Sequence, residues 1–103
     1  MKITKEQMAE ISNFSELQFS PAECAVIIGI DPAEFSANVA GGEGDIFNAY
    51  EGGRLRAVAE VRRSILQQAK QGSSPAQKQI CELMAQLDER LIMINVEHKR
   101  SNR

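Results

Sequence analysis

All three prolines of this chain sit in the same local signature. Each follows a helix-capping residue and stands two positions before a side chain able to bond back to the cap: Ser20-Pro21-Ala22-Glu23, Asp31-Pro32-Ala33-Glu34 and Ser74-Pro75-Ala76-Gln77. A side-chain oxygen at N-cap accepts from a first-turn N–H, and proline at N1 lacks only an N–H that has no helical partner. Glu or Gln at N3 returns a bond to the cap N–H. Three helix starts are thus written into the chain, and glycines supply the stops: Gly29 and Gly72 fall where a left-handed residue ends a helix. In Gly72-Ser73-Ser74-Pro75-Ala76-Gln77 a stop and a start meet within six residues, which predicts a helical hairpin.

The expected fold class is all-α, an N-terminal helix-turn-helix followed by a long helical hairpin. A first helix over about Lys5 to Phe14 follows from Met8, Ile11 and Phe14 on one face, with Thr4 and Gln7 as a capping box. Two short helices then occupy Pro21 to Val39, joined by Gly29-Ile30-Asp31. Ala25, Val26 and Ile28 are the apolar run of the first and Phe35 and Val39 mark the second, a spacing that fits a helix-turn-helix. The second helix carries no Lys or Arg, so Ser36 and Asn38 are its only candidates for reading base edges. The glycine-rich stretch Ala40 to Asp45 is expected to be a link with Asp45 capping the next helix. No Gly-Lys-Ser/Thr follows it, so it is not a phosphate loop.

From Asp45 to Gln71 the pattern is one long helix, with Gly52-Gly53 expected to kink or split it. Its polar surface carries Arg54, Arg56, Arg62, Arg63 and Lys70, the candidate phosphate contacts. Beyond the hinge, Ile80, Met84, Leu87, Leu91 and Ile94 step by four and three residues, a heptad seam expected to serve oligomerisation. Leu83, Ile92, Met93 and Val96 broaden that surface past what one neighbouring helix covers. By region, residues 1–44 are expected to hold the helix-turn-helix, 45–97 the hairpin for core packing and assembly, and 98–103 a frayed basic tail.

Charge separates the halves more sharply than the net −2 suggests. Met1 to Glu51 holds two lysines against nine acids, and Gly52 to Arg103 ten bases against five acids. Any phosphate contact therefore belongs to the second half. Cys24 and Cys81 stand in apolar helical patterns without metal-ligand spacing and are expected to be buried, reduced thiols. The single His lies at position 98, and no nucleophile setting or paired-carboxylate motif occurs, so the expectation is a non-enzyme with no cofactor and no metal. No apolar run is long enough to cross a bilayer, which makes cytoplasm the expected location.

Three stretches carry a family resemblance: Ala49-Tyr50-Glu51-Gly52-Gly53-Arg54-Leu55, Val61-Arg62-Arg63-Ser64-Ile65, and Ala69-Lys70-Gln71-Gly72-Ser73-Ser74-Pro75-Ala76-Gln77. Together with Phe19 to Glu23 and Ile28 to Asp31, they resemble the terminase small-subunit-like helix-turn-helix proteins of tailed phages and prophages. The resemblance spans about Phe19 to Leu87. It implies a non-catalytic subunit that recognises double-stranded viral DNA, assembles into a ring-like homo-oligomer and presents the DNA to a large ATPase and nuclease subunit, in the host cytoplasm if phage-encoded. The acidic first half and the uncharged second helix depart from that pattern. They leave open two other expectations, a dimeric helix-turn-helix transcriptional regulator and an oligomeric adaptor that binds protein alone.

Overall fold

The structure is a computed structural model that describes residues 1–101, with side chains through Leu91 and that of Met93. The protein is all-α, with five helices in order: α1 (Lys5–Glu16), α2 (Pro21–Ile28), α3 (Pro32–Ala40), α4 (Asp45–Lys70) and α5 (Ser74–Ser101). The chain forms two compact units, Met1–Glu60 and Val61–Arg103. The division falls inside α4 rather than at the glycine link of residues 41–44, because the first half of α4 supplies Tyr50 and Gly53 to the N-terminal core.

The capping chemistry predicts the starts of α1, α2 and α3 closely. Thr4 accepts from the Gln7 N–H at 3.1 Å and Gln7 Oε1 accepts from the Thr4 N–H at 3.0 Å, closing the box. Ser20 and Glu23 repeat it at 3.2 and 2.9 Å. Asp31 Oδ1 accepts from the Ala33 and Glu34 N–H groups. Between α2 and α3 Gly29 adopts φ 90°, and its N–H and that of Ile30 both reach the Ala25 carbonyl, ending α2 in a tight left-handed turn.

Ile11, Cys24, Ala25, Phe35 and Tyr50 form the buried core of Met1–Glu60, with Met8, Phe14, Phe19, Ile28, Ile30 and Val39 packed against it. Phe35 meets the Tyr50 ring edge-on at 6.3 Å, and the Tyr50 hydroxyl donates to the Phe19 carbonyl at 2.9 Å. The phenol thus brings apolar area and finds a partner for its polar end.

Five expectations need correction. Gly52-Gly53 neither kinks nor splits the helix, since α4 is continuous from Asp45 to Lys70. Gly53 is instead the point where α4 touches α1: a Cβ there would stand 2.5 Å from the Ser12 carbonyl oxygen and would also strike Ser15 Oγ. The second correction concerns the hinge, where the cap is Ser73, not Ser74. Ser73 Oγ accepts from the Ala76 N–H at 3.4 Å and the Ser73 carbonyl accepts from the Gln77 N–H at 3.0 Å, while the Gln77 side chain turns back to the Ala69 carbonyl. Likewise Asp45 is the first residue of α4, and the Gly44 carbonyl receives the first helical bond from Asn48. Finally, Cys24 is buried but Cys81 is exposed, because Ala76, Ile80 and Leu83 take the inward side of α5 and Cys81 lies about 100° around from Ile80. Helix α5 also continues through Ser101, so His98 to Ser101 are helical backbone rather than a frayed tail.

Candidate nucleic-acid interface

The candidate base readers lie on α3, whose burial of Phe35 fixes which residues face outward. Ser36 is half-buried beside it. Asn38 is exposed, but its amide donates to the Glu34 carbonyl one turn back at 2.9 Å, so its donor is engaged within its own helix. The remaining outward positions are Ala33, Glu34 and Ala37. Acids occupy the start of α3, with Asp31 capping it and Glu34 in the first turn, where a phosphate would otherwise find free N–H groups.

The two arginines of α4 that belong to Met1–Glu60 are opposed by acids. Arg54 donates from Nε to Glu51 Oε1 at 3.2 Å, and the same carboxylate oxygen accepts from Nη2. That hydrogen bond with Glu51 holds the guanidinium pKa above its ordinary value, so the cation is permanent and already paired. The Arg54 carbonyl also accepts from Gln18 Nε2 at 3.0 Å, and Gln18 itself has φ 68°. A long side chain in a left-handed turn is uncommon, and this cross-link to α4 accompanies it here. Arg56 reaches Glu16 at 3.7 Å.

In Val61–Arg103 the picture differs. Arg62, Arg63 and Lys70 are exposed on α4, and no acid among the described residues lies within ion-pair distance of them. Among its described residues the same unit buries one side chain, Ala76, with Ile65, Ala69, Ile80 and Leu83 half-buried. Of the expected assembly seam, Ile80 turns inward, whereas Met84, Leu87 and Leu91 are 60%, 53% and 50% exposed. The Ile94 side chain lies outside the described residues.

Sequence reasoning missed two features. Glu51 and Arg54 are three apart on one helix, a spacing that announces their pairing, but Arg56 with Glu16 is a tertiary contact that no local pattern carries. The other is a groove of about 350 Å³ on the outer side of α2, lined by Phe19, Ala22, Glu23, Val26 and Ile27. Val26 stands 69% exposed and Leu17 nearby in sequence 67%, although Val26 reads as core in the apolar run. The signal was present: Cys24-Ala25-Val26-Ile27-Ile28 is apolar on every side, and a helix of eight residues packed on one face cannot bury them all.

Among the described residues no three His, Cys, Asp or Glu side chains converge as a metal site requires, and no helix is long and apolar enough to cross a membrane. Comparison of the chain with protein-family models, curated proteins and solved structures finds no match.

Proposed function

We propose that this chain is a non-catalytic DNA-binding subunit of a phage-type genome-packaging machine, acting on double-stranded DNA as a homo-oligomer beside a large ATPase and nuclease subunit. The observation that carries the reading is the coincidence, within Val61–Arg103, of unopposed bases and uncovered apolar side chains. Arg62, Arg63 and Lys70 stand exposed where Leu66, Met84, Leu87 and Leu91 also lack cover. Bases of this kind attract phosphate without regard to sequence, and apolar residues left in water favour association between copies. One chain offers few phosphate contacts, and several copies on one duplex multiply them through effective concentration. The helix-turn-helix reading of α2 and α3 belongs to this proposal, with α3 in a minor role because Ser36 is half-buried and the Asn38 amide is engaged.

The test is binding of the full chain to duplex DNA at rising salt, beside an Arg62→Ala, Arg63→Ala variant. The expected result is binding at about 50 mM salt that weakens steeply by about 200 mM, and a shallower salt dependence in the variant, by roughly two phosphate contacts per chain. Absence of binding at low salt would overturn the DNA reading. It would favour the adaptor instead, a reading that the acid-covered start of α3 specifically supports.

A further inference from the structure

We propose that Glu51 and Glu16 hold Arg54 and Arg56 back from phosphate, so that these two carboxylates keep the DNA affinity of a single copy low. The inference rests on the DNA-binding part of the function proposed above, and the residues it invokes lie within Met1–Glu60. Both α4 arginines of that unit have a carboxylate partner in it. Arg54 presents Nε and Nη2 to Glu51 Oε1, a contact made within the helix between two half-buried side chains. Arg56 sends Nε across to Glu16 Oε1 at 3.7 Å, and its Nη1 lies over Gly52, 3.2 Å from where a Cβ would stand. Glu16 is the last residue of α1, whose final turn has no base of its own. The negative end of that helix and the carboxylate therefore both favour Arg56 where it stands.

An exposed ion pair is weak, so either arginine can leave its partner, but the acid stays behind. A phosphate that reached Arg54 or Arg56 would stand beside Glu51 or Glu16 and be repelled by it. Arg62, Arg63 and Lys70 meet phosphate without that opposition, since no acid among the described residues lies within ion-pair distance of them. The counterion release that drives binding is thereby confined to those three bases. A copy with so few effective contacts gains little from duplex DNA by itself. Weak contact multiplied over several copies makes occupancy depend steeply on assembly, so the two acids favour binding by the oligomer over binding by lone copies.

The experiment measures binding of full-length variants to a duplex of arbitrary sequence between about 50 and about 200 mM NaCl. Glu16→Gln with Glu51→Gln removes both acids, and glutamine is a good helix former, so helicity by circular dichroism should match the parent. Glu6→Gln with Glu43→Gln is the control. It makes the same change of net charge at exposed acids that pair with no base among the described residues. The first variant should bind about tenfold tighter than the parent at about 100 mM salt, with a salt dependence steeper by about two phosphate contacts per chain. The control should keep the parent's slope. Adding Arg54→Ala and Arg56→Ala to the first variant should return its slope to the parent's, which assigns the gain to those arginines rather than to net charge. A first variant with the parent's slope, an equal gain in the control, or a gain that survives loss of both arginines overturns the proposal. The same titrations separate this inference from the packaging reading. A parent that binds while the first variant gains nothing sinks the inference alone. A parent that does not bind while the first variant does sinks the packaging reading and upholds the restraint, and no binding by either sinks both.

Discussion

Replacing Gly53 with alanine should destabilise the protein strongly, although the same change in an ordinary helix interior stabilises by about 1 kcal/mol. A Cβ at Gly53 would stand 2.5 Å from the Ser12 carbonyl oxygen and 3.1 Å from the Ser12 Cα, both backbone atoms of α1 that no rotamer change can move. Ser15 Oγ would also have to leave. That hydroxyl is buried and donates to the Ser12 carbonyl at 3.0 Å, so displacing it loses a hydrogen bond of about 1 kcal/mol. Overpacking of this severity costs about 3 kcal/mol. Setting the helix gain against both losses leaves a net destabilisation of about 3 kcal/mol, a fall in melting temperature on the order of 12–24 °C for a domain of this size. Gly52 is the internal control. Its nearest neighbour for a Cβ is the Arg56 Nη1 at 3.2 Å, the end of a flexible side chain, so Gly52→Ala should be stabilising by up to about 1 kcal/mol. Thermal and urea unfolding of both variants reads the difference directly. Equal effects at the two positions, or a Gly53→Ala protein as stable as the parent, would refute the close crossing of α1 and α4.

Two further outcomes follow from caps. Ser73→Ala should cost about 0.5–1 kcal/mol in urea unfolding, because it removes the oxygen facing the Ala76 N–H, whereas Ser74→Ala should be neutral; the reverse order would return the cap to Ser74. Hydrogen bonds from the Ser20 N–H and with its hydroxyl hold the Glu23 carboxyl below its ordinary pKa. Since the folded value is depressed, its contribution is complete above the unfolded value of about 4.3 and is lost as pH falls through the folded one. Glu23→Gln keeps the accepting oxygen without the titration, so between about pH 5 and 3 the parent should lose more stability than the variant; superimposable pH profiles would remove Glu23 from the cap.

Local chemistry made most of the fold legible. Capping residues and prolines place the starts of α1, α2 and α3 because each start is decided by atoms within four residues of one another. The errors arise where a distant segment decides. Gly53 reads as a helix breaker until α1 is laid across it, and Val26 reads as core until α2 is seen to be covered on one side alone. At the candidate interface the arginines are visible in the sequence, and so is Glu51 three residues before Arg54, but the Glu16 that Arg56 reaches lies on another helix and no local pattern carries it. Asn38 shows the same limit, since its amide bonds to a carbonyl that any helical residue four positions back could provide.

The Val61–Arg103 unit carries the last consequence. Ala76 is its single buried side chain among the described residues, so copies that cover Met84, Leu87 and Leu91 would add burial that the described part of one chain does not supply. The Met1–Glu60 unit, by contrast, encloses Ile11, Cys24, Ala25, Phe35 and Tyr50. If copies supply the missing cover, helix formation in α5 and assembly are one linked equilibrium, and each dissociating contact makes the unit's stability depend on concentration by about 1.4 kcal/mol per tenfold dilution. Amide hydrogen exchange at several protein concentrations separates the units: protection along α5 should fall on dilution while protection of α2 and α3 backbone within the core holds. Protection of α5 that is high and independent of concentration would mean that the hairpin is stable alone, and the apolar ridge would then need another explanation.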